Sequence, residues 1–173
     1  MRLYLMRHGP AGNGATWTGD DRLRPLTEKG VRRMHAAADG LKRLHPSIDV
    51  LLTSPLARAR QTADLVGEAL NLPVEENEAL APGFSLAHLA GLLTIYTDAH
   101  GLMLFGHEPD FSILIARLIT PRGDAQIMMK KGACCALNLP EETPTATLAA
   151  KQLAGSAILL WLMTARQLAQ ISS

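Results

Sequence analysis

Two histidines in this chain stand where an apolar run ends. Leu3-Tyr4-Leu5-Met6 runs into Arg7-His8-Gly9, and Leu102-Met103-Leu104-Phe105 runs into Gly106-His107-Glu108. A third such run, Ile48 to Thr53, ends in Ser54-Pro55 with Arg58 shortly after. An imidazole can attack an electrophile or bind an oxyanion, and a guanidinium fork donates two parallel hydrogen bonds to phosphate oxygens. His8, His107, Arg7 and Arg58 together describe a pocket for a tetrahedral dianion. Their positive charge would neutralise a phosphoryl group without a metal. The sequence lacks the closely spaced His, Cys and carboxylate sets of a zinc site. It also lacks a Walker-type loop, and Gly12-Asn13-Gly14 is too weak a signal to make one. No metal and no cofactor are expected.

These residues meet only if their elements bring them together. Residues 2–7 read as a buried strand, followed by a Gly-, Asn- and Asp-rich loop to about Arg24. Thr27 can cap a helix from Glu28 to Leu44, because Val31, Met34, Ala38 and Leu41 recur at helical spacing. Residues 48–53 form a second strand. Ser54 then caps a helix that has Pro55 at its first position, runs to about Leu70 and carries an apolar stripe of Leu56, Ala59, Ala63, Val66 and Leu70. A weak strand at 74–77, a helix from Ser85 to about Ala99, a strand at 102–105 and a helix after Pro109 follow. Residues 126–129 and 133–139 read as two strands joined by Lys130-Lys131-Gly132. A strand at 158–163 and a short helix close the chain, and 140–157 is the flexible loop. Alternation of this kind predicts an α/β fold, a three-layer α/β/α sandwich on a mostly parallel sheet with antiparallel edge strands. In such sheets ligands bind at the carboxyl ends of the strands, where His8, Arg58 and His107 fall, with helix amino ends at Pro55 and Pro109 adding positive charge.

Composition narrows the partners. The 173 residues are expected to form a single domain, 1–173. A net charge of +1 and an aromatic content of 4% argue against nucleic acid. The longest apolar run, Ala157 to Met163, is too short to span a bilayer, and the amino terminus lacks the features of a secretory signal. Adjacent Cys134 and Cys135 cannot readily bridge and suit a reducing compartment. A cytoplasmic protein without nucleic-acid or membrane partners is expected.

The motifs then become specific as a set. Arg7-His8-Gly9, Ser54-Pro55-Leu56-Ala57-Arg58-Ala59-Arg60-Gln61-Thr62 and Gly106-His107 resemble the three signatures of the histidine phosphatase superfamily, which has the phosphoglycerate mutase-like fold. Arg24-Pro25-Leu26-Thr27-Glu28-Lys29-Gly30, Leu80-Ala81-Pro82-Gly83 and Gly106-His107-Glu108-Pro109-Asp110 are similar to stretches of its SixA-type phosphohistidine phosphatases. The resemblance implies that His8 is a nucleophile that carries the phosphoryl group as phosphohistidine. It implies phosphate contacts from Arg7, Arg58 and His107, with Arg24 a further candidate. Glu78 is a candidate general acid by neighbourhood, and Glu108 is another. Arg60 reads as a surface cation. His35, His45, His88 and His100, within or at the ends of helices, read as non-catalytic.

The expected activity is that of a metal-independent phosphatase acting on a phosphohistidine protein and releasing inorganic phosphate. The chain has little spare length for segments that would close over a small molecule. An imidazole leaving group also needs less help from an acid than an alkoxide does. One alternative is a phosphatase of small phosphoesters on the same residues. Another is a phospho-ligand-binding protein that does not turn over. Lys130-Lys131-Gly132 reads as an exposed turn or as a basic rim for an acidic or phosphorylated protein.

Overall fold

Strand β1 (Arg2–Arg7) has two apolar faces: Leu3 and Leu5 point to one side, Tyr4 and Met6 to the other. A strand buried on both faces needs a helical layer on each. The computed structural model, which describes residues 1–140 and 150–171, supplies them. On the Tyr4 side lie α1 (Glu28–Arg43), α2 (Ala57–Leu70) and α6 (Ala165–Ile171); on the Leu3 side lie α3 (Leu86–Ile95), α4 (Asp110–Ile119) and α5 (Ala150–Leu153). The sheet between them comprises β1, β2 (Val50–Thr53), β3 (Val74–Glu76), β4 (Gly101–Gly106), β5 (Cys134–Asn138) and β6 (Ile158–Met163). Its strand order is β3-β2-β4-β1-β5-β6. The first four neighbours are parallel, and β5 runs antiparallel to both β1 and β6. This is the expected three-layer α/β/α sandwich.

The topology makes one crevice. β1 and β4 are parallel neighbours with Arg7 opposite Gly106, but β1 leads to α1 on one face and β4 to α4 on the other. Connections that part in this way leave a gap at the carboxyl ends of the strands. His8 and His107 are the residues that enter it. β2 ends beside β4 with Thr53 opposite Phe105, so the Ser54 segment reaches the same edge.

Several boundaries differ from the sequence expectation. Thr27 and Ser85 do cap α1 and α3, and the His88 side chain completes a reciprocal capping box with Ser85. α2, however, starts at Ala57, with Leu56 as an N-cap that makes no side-chain bond; the Ser54 hydroxyl instead accepts from Leu56 N–H at 3.3 Å. α3 stops at Ile95, so His100 precedes β4 rather than ending a helix, and its ring faces Asp49. Residues 126–129 form no strand. Their burial alternates, with Gln126 and Met128 exposed and Met129 buried, but β5 already pairs with β1 on one edge and β6 on the other. β5 therefore has no free edge on which residues 126–129 could pair as its neighbour. The anticipated loop at 140–157 contains α5, and the Glu141-Glu142 pair lies outside the described residues.

Candidate active site

His8 leaves β1 into the crevice and is 7% exposed. Its Nδ1 lies 2.8 Å from the Gly9 carbonyl oxygen. A carbonyl can only accept, so Nδ1 carries the proton and Nε2 keeps its lone pair. Burial pushes the His8 imidazole down to about 3, and the charges of His107, Arg58 and Arg7 act in the same direction against the Gly9 bond. At neutral pH His8 is therefore an uncharged imidazole with a lone pair available on Nε2. Gly9 is needed beneath it: a Cβ there would fall 2.4 Å from Met34 Cγ on α1.

The helix after β2 holds the strand end in place. Gly9 N–H donates to Thr62 Oγ1 at 2.9 Å, and the same hydroxyl donates to Arg58 carbonyl at 2.7 Å. One turn earlier, Arg58 is 6% exposed and its Nη1 donates to the Asp21 carbonyl at 2.9 Å while pairing with Asp21 Oδ2 at 3.1 Å. Arg60 faces Asp64 and Glu76 instead, as a surface cation should. Gln61 Oε1 accepts Leu26 N–H at 2.8 Å and anchors the segment that carries Arg24.

His107 follows β4 and is 4% exposed, with its ring centroid 5.3 Å from that of His8. Its Nε2 lies 2.8 Å from the Ser54 hydroxyl. That hydroxyl accepts from Leu56 N–H and can donate its own proton to Nε2, an arrangement in which the ring proton of a neutral His107 lies on Nδ1. Burial, then Arg58, lowers the His107 imidazole to about 4, while Asp21 opposes the shift.

Arg7 donates from Nη1 to the Met129 carbonyl at 2.7 Å. Arg24 pairs with Asp21 Oδ1 at 2.7 Å and donates to the Gly12 carbonyl. The Asp21 carboxylate thus bridges Arg24 and Arg58, and the Arg24 bond, with Arg58 adding to it, holds it below the usual carboxylate range. Three buried site atoms make no hydrogen bond among the described residues: Arg7 Nε, Arg58 Nε and His107 Nδ1. A buried polar group without a partner costs about 1–3 kcal/mol. A tetrahedral oxyanion, rich in lone pairs, is the ligand type that would satisfy such donors. No group of three or more His, Cys, Asp or Glu side chains suited to a metal occurs among the described residues.

The structure therefore brings Arg7, His8, Arg24, Arg58 and His107 together. Glu78 sits at the rim, its side chain 74% exposed and paired with Arg22 at 3.2 Å. Glu108 accepts from both the N–H and the hydroxyl of Ser112, although its charge still reaches Arg7. Asp21 went unnoticed in the sequence, as did the tasks of Ser54 and Thr62. Asp21 opens a single 3-10 turn, Asp21–Leu23, in a stretch with no periodicity, and only its spacing of three from Arg24 could have drawn attention to it.

Residues 3–82 match the family model described as histidine phosphatase superfamily, branch 1. Phosphohistidine phosphatase SixA of Escherichia coli (strain K12) is 31% identical over 147 residues, covering 82% of this chain and 87% of that protein. The adenosylcobalamin/alpha-ribazole phosphatase of Salmonella typhimurium is 28% identical, over 69% of this chain and 80% of its own. Among solved structures, the protein histidine phosphatase SixA complexed with tungstate superposes with a TM-score of 0.79 at 28% identity. That match covers 97% of this chain and 99% of the other.

Proposed function

Because this chain belongs to the histidine phosphatase superfamily and is a phosphohydrolase, we propose that it hydrolyses protein phosphohistidine with His8 as the nucleophile. The observation that carries the proposal is the buried, neutral His8 with its proton fixed on Nδ1 by the Gly9 carbonyl. Nε2 attacks phosphorus in line. As the Nε2–P bond forms, the bond from phosphorus to the substrate imidazole breaks, and that nitrogen takes the electron pair and a proton. Water then attacks the phosphorylated His8, the Nε2–P bond breaks, Nε2 recovers its lone pair and inorganic phosphate leaves.

Arg7, Arg24, Arg58 and His107 bind the non-bridging oxygens, where fixed donors in a dry site stabilise developing charge best. This charge makes a metal unnecessary in the proposed mechanism. Glu78 is the proposed acid. Its exposure and its pairing with Arg22 suit a leaving group that needs little protonation, which supports a P–N over a P–O substrate. Near-complete mutual coverage with SixA supports the same substrate class. The second reading, a small phosphoester, is favoured by the likeness to the Salmonella enzyme. Membership in a family of phosphohydrolases supports turnover over binding alone. The proposal includes a single domain, 1–173, and a cytoplasmic setting, consistent with free, buried Cys134 and Cys135. No helix among the described residues is long and apolar enough to cross a membrane.

Quenching the protein during turnover of a radiolabelled phosphohistidine protein should trap acid-labile, alkali-stable label. His8→Ala should lose the label and at least about a thousandfold in rate. An unlabelled wild type together with a fully active His8→Ala would overturn the mechanism.

A further inference from the structure

The turn at Lys130-Lys131-Gly132 lies outside the anion pocket but is locked to the strand that carries it. Gly132 N–H donates to the carbonyls of Arg7, at 3.2 Å, and His8, at 3.0 Å. Arg7 N–H donates to Ala133 carbonyl at 3.0 Å, and the Arg7 side chain holds the Met129 carbonyl from the other side. Gly132 has φ +76°, and a Cβ there would meet Met34 Sδ at 2.6 Å, so the turn has little freedom to drift. Both lysines on it are exposed.

Their charge is uncommitted. Arg22, Arg24, Arg58 and Arg60 each face a carboxylate. Neither the Lys130 nor the Lys131 ammonium has an ion-pair or hydrogen-bond partner among the described residues, although the Lys130 carbonyl accepts Ala133 N–H at 2.8 Å. Beside them Met128 is 75% exposed, an apolar contact on the same edge. Two exposed lysines on a turn anchored to His8, yet outside the phosphate cluster, are of no use to a small phosphoester. They can be reached by a substrate that extends past its phosphoryl group.

We propose that Lys130 and Lys131 form a docking rim that recognises an acidic surface next to the phosphohistidine of a protein substrate. This inference rests on the substrate class proposed above. A near-neutral chain with few aromatics argues for an acidic protein over a nucleic acid on this rim. Rim charges act mainly on encounter, and salt screens them over about 8 Å at physiological ionic strength.

The test compares wild type, Lys130→Ala/Lys131→Ala and Lys130→Arg/Lys131→Arg. The substrates are p-nitrophenyl phosphate and an acidic protein domain phosphorylated on histidine with phosphoramidate. The alanine variant should lose about fivefold or more in kcat/KM on the protein at low salt, and the gap should close at high salt. It should stay within about twofold of wild type on p-nitrophenyl phosphate, and the arginine variant should match wild type on both. Equal losses on both substrates would show that the turn acts only through Arg7 and His8, which overturns the rim. So would an unchanged rate on the protein. Inhibition by single-stranded RNA, lost in the alanine variant and not reproduced by an acidic protein, would give the rim to nucleic acid instead. A wild type active on p-nitrophenyl phosphate alone would overturn the substrate class, and the rim with it.

Discussion

At the scale of single residues, the site depends on where two protons sit. His8 has its proton assigned by a carbonyl, and the Ser54 hydroxyl is placed to do the same for His107. Removing one partner of a buried hydrogen bond costs about 1–3 kcal/mol. Ser54→Ala should therefore lower kcat/KM by about tenfold or more, while His8 still labels. It should also move the ring ¹⁵N shifts of His107 toward a mixture of tautomers, and Ser54→Thr should restore both. Unchanged ring shifts in Ser54→Ala would show that the hydroxyl does not choose the tautomer. Arg7, His8, Arg58 and His107 were legible in the sequence because each closes a strand or opens the helix after it. Ser54 and Asp21 were not legible in the same way, since their tasks depend on side-chain directions from three separate loops.

At the scale of elements, α2 ties down the end of β1 through Thr62, and α1 packs against it. Met34 on α1 lies against both Gly9 and Gly132, the glycines that flank His8 in space. Gly132→Ala would have to enter the left-handed region and push aside a buried thioether. The expected result is a loss of about 1–3 kcal/mol in denaturant unfolding, with Met34→Ala in the same background recovering part of it. No recovery would mean that backbone strain alone sets the cost. Residues 126–129 read as a strand in the sequence, but pairing is decided by the sheet. With β1 and β6 on its two edges, β5 had no place for another partner.

At the scale of the whole molecule, burying two neutral imidazoles ties stability to pH. In the unfolded chain a histidine takes up a proton near pH 6.5, whereas in the folded site His8 does so at about 3 and His107 at about 4. Between these limits the unfolded state binds more protons, so stability is complete above pH 6.5 and declines as the pH falls. The slope reaches about 1.4 kcal/mol per pH unit for each histidine. Urea unfolding between pH 7 and pH 4.5 should show this decline, and His107→Asn should make it shallower. A flat profile would mean that the folded site already accepts those protons. The layering and the parallel core of the sheet were legible because apolar runs alternated with helical spacing. The crevice was less so, since it arises from β1 and β4 lying side by side, 99 residues apart in the chain, with connections on opposite faces.

The bond from His8 Nδ1 reaches only as far as the next residue's main chain. Every amino acid has that oxygen, so no change of genetic code at position 9 can delete the acceptor; it can only displace it. The orientation of His8 is thus inherited with the peptide backbone, whereas that of His107 rests on one replaceable hydroxyl. Lineages descended from such a chain could lose the second imidazole's alignment by a single base change and still keep the first.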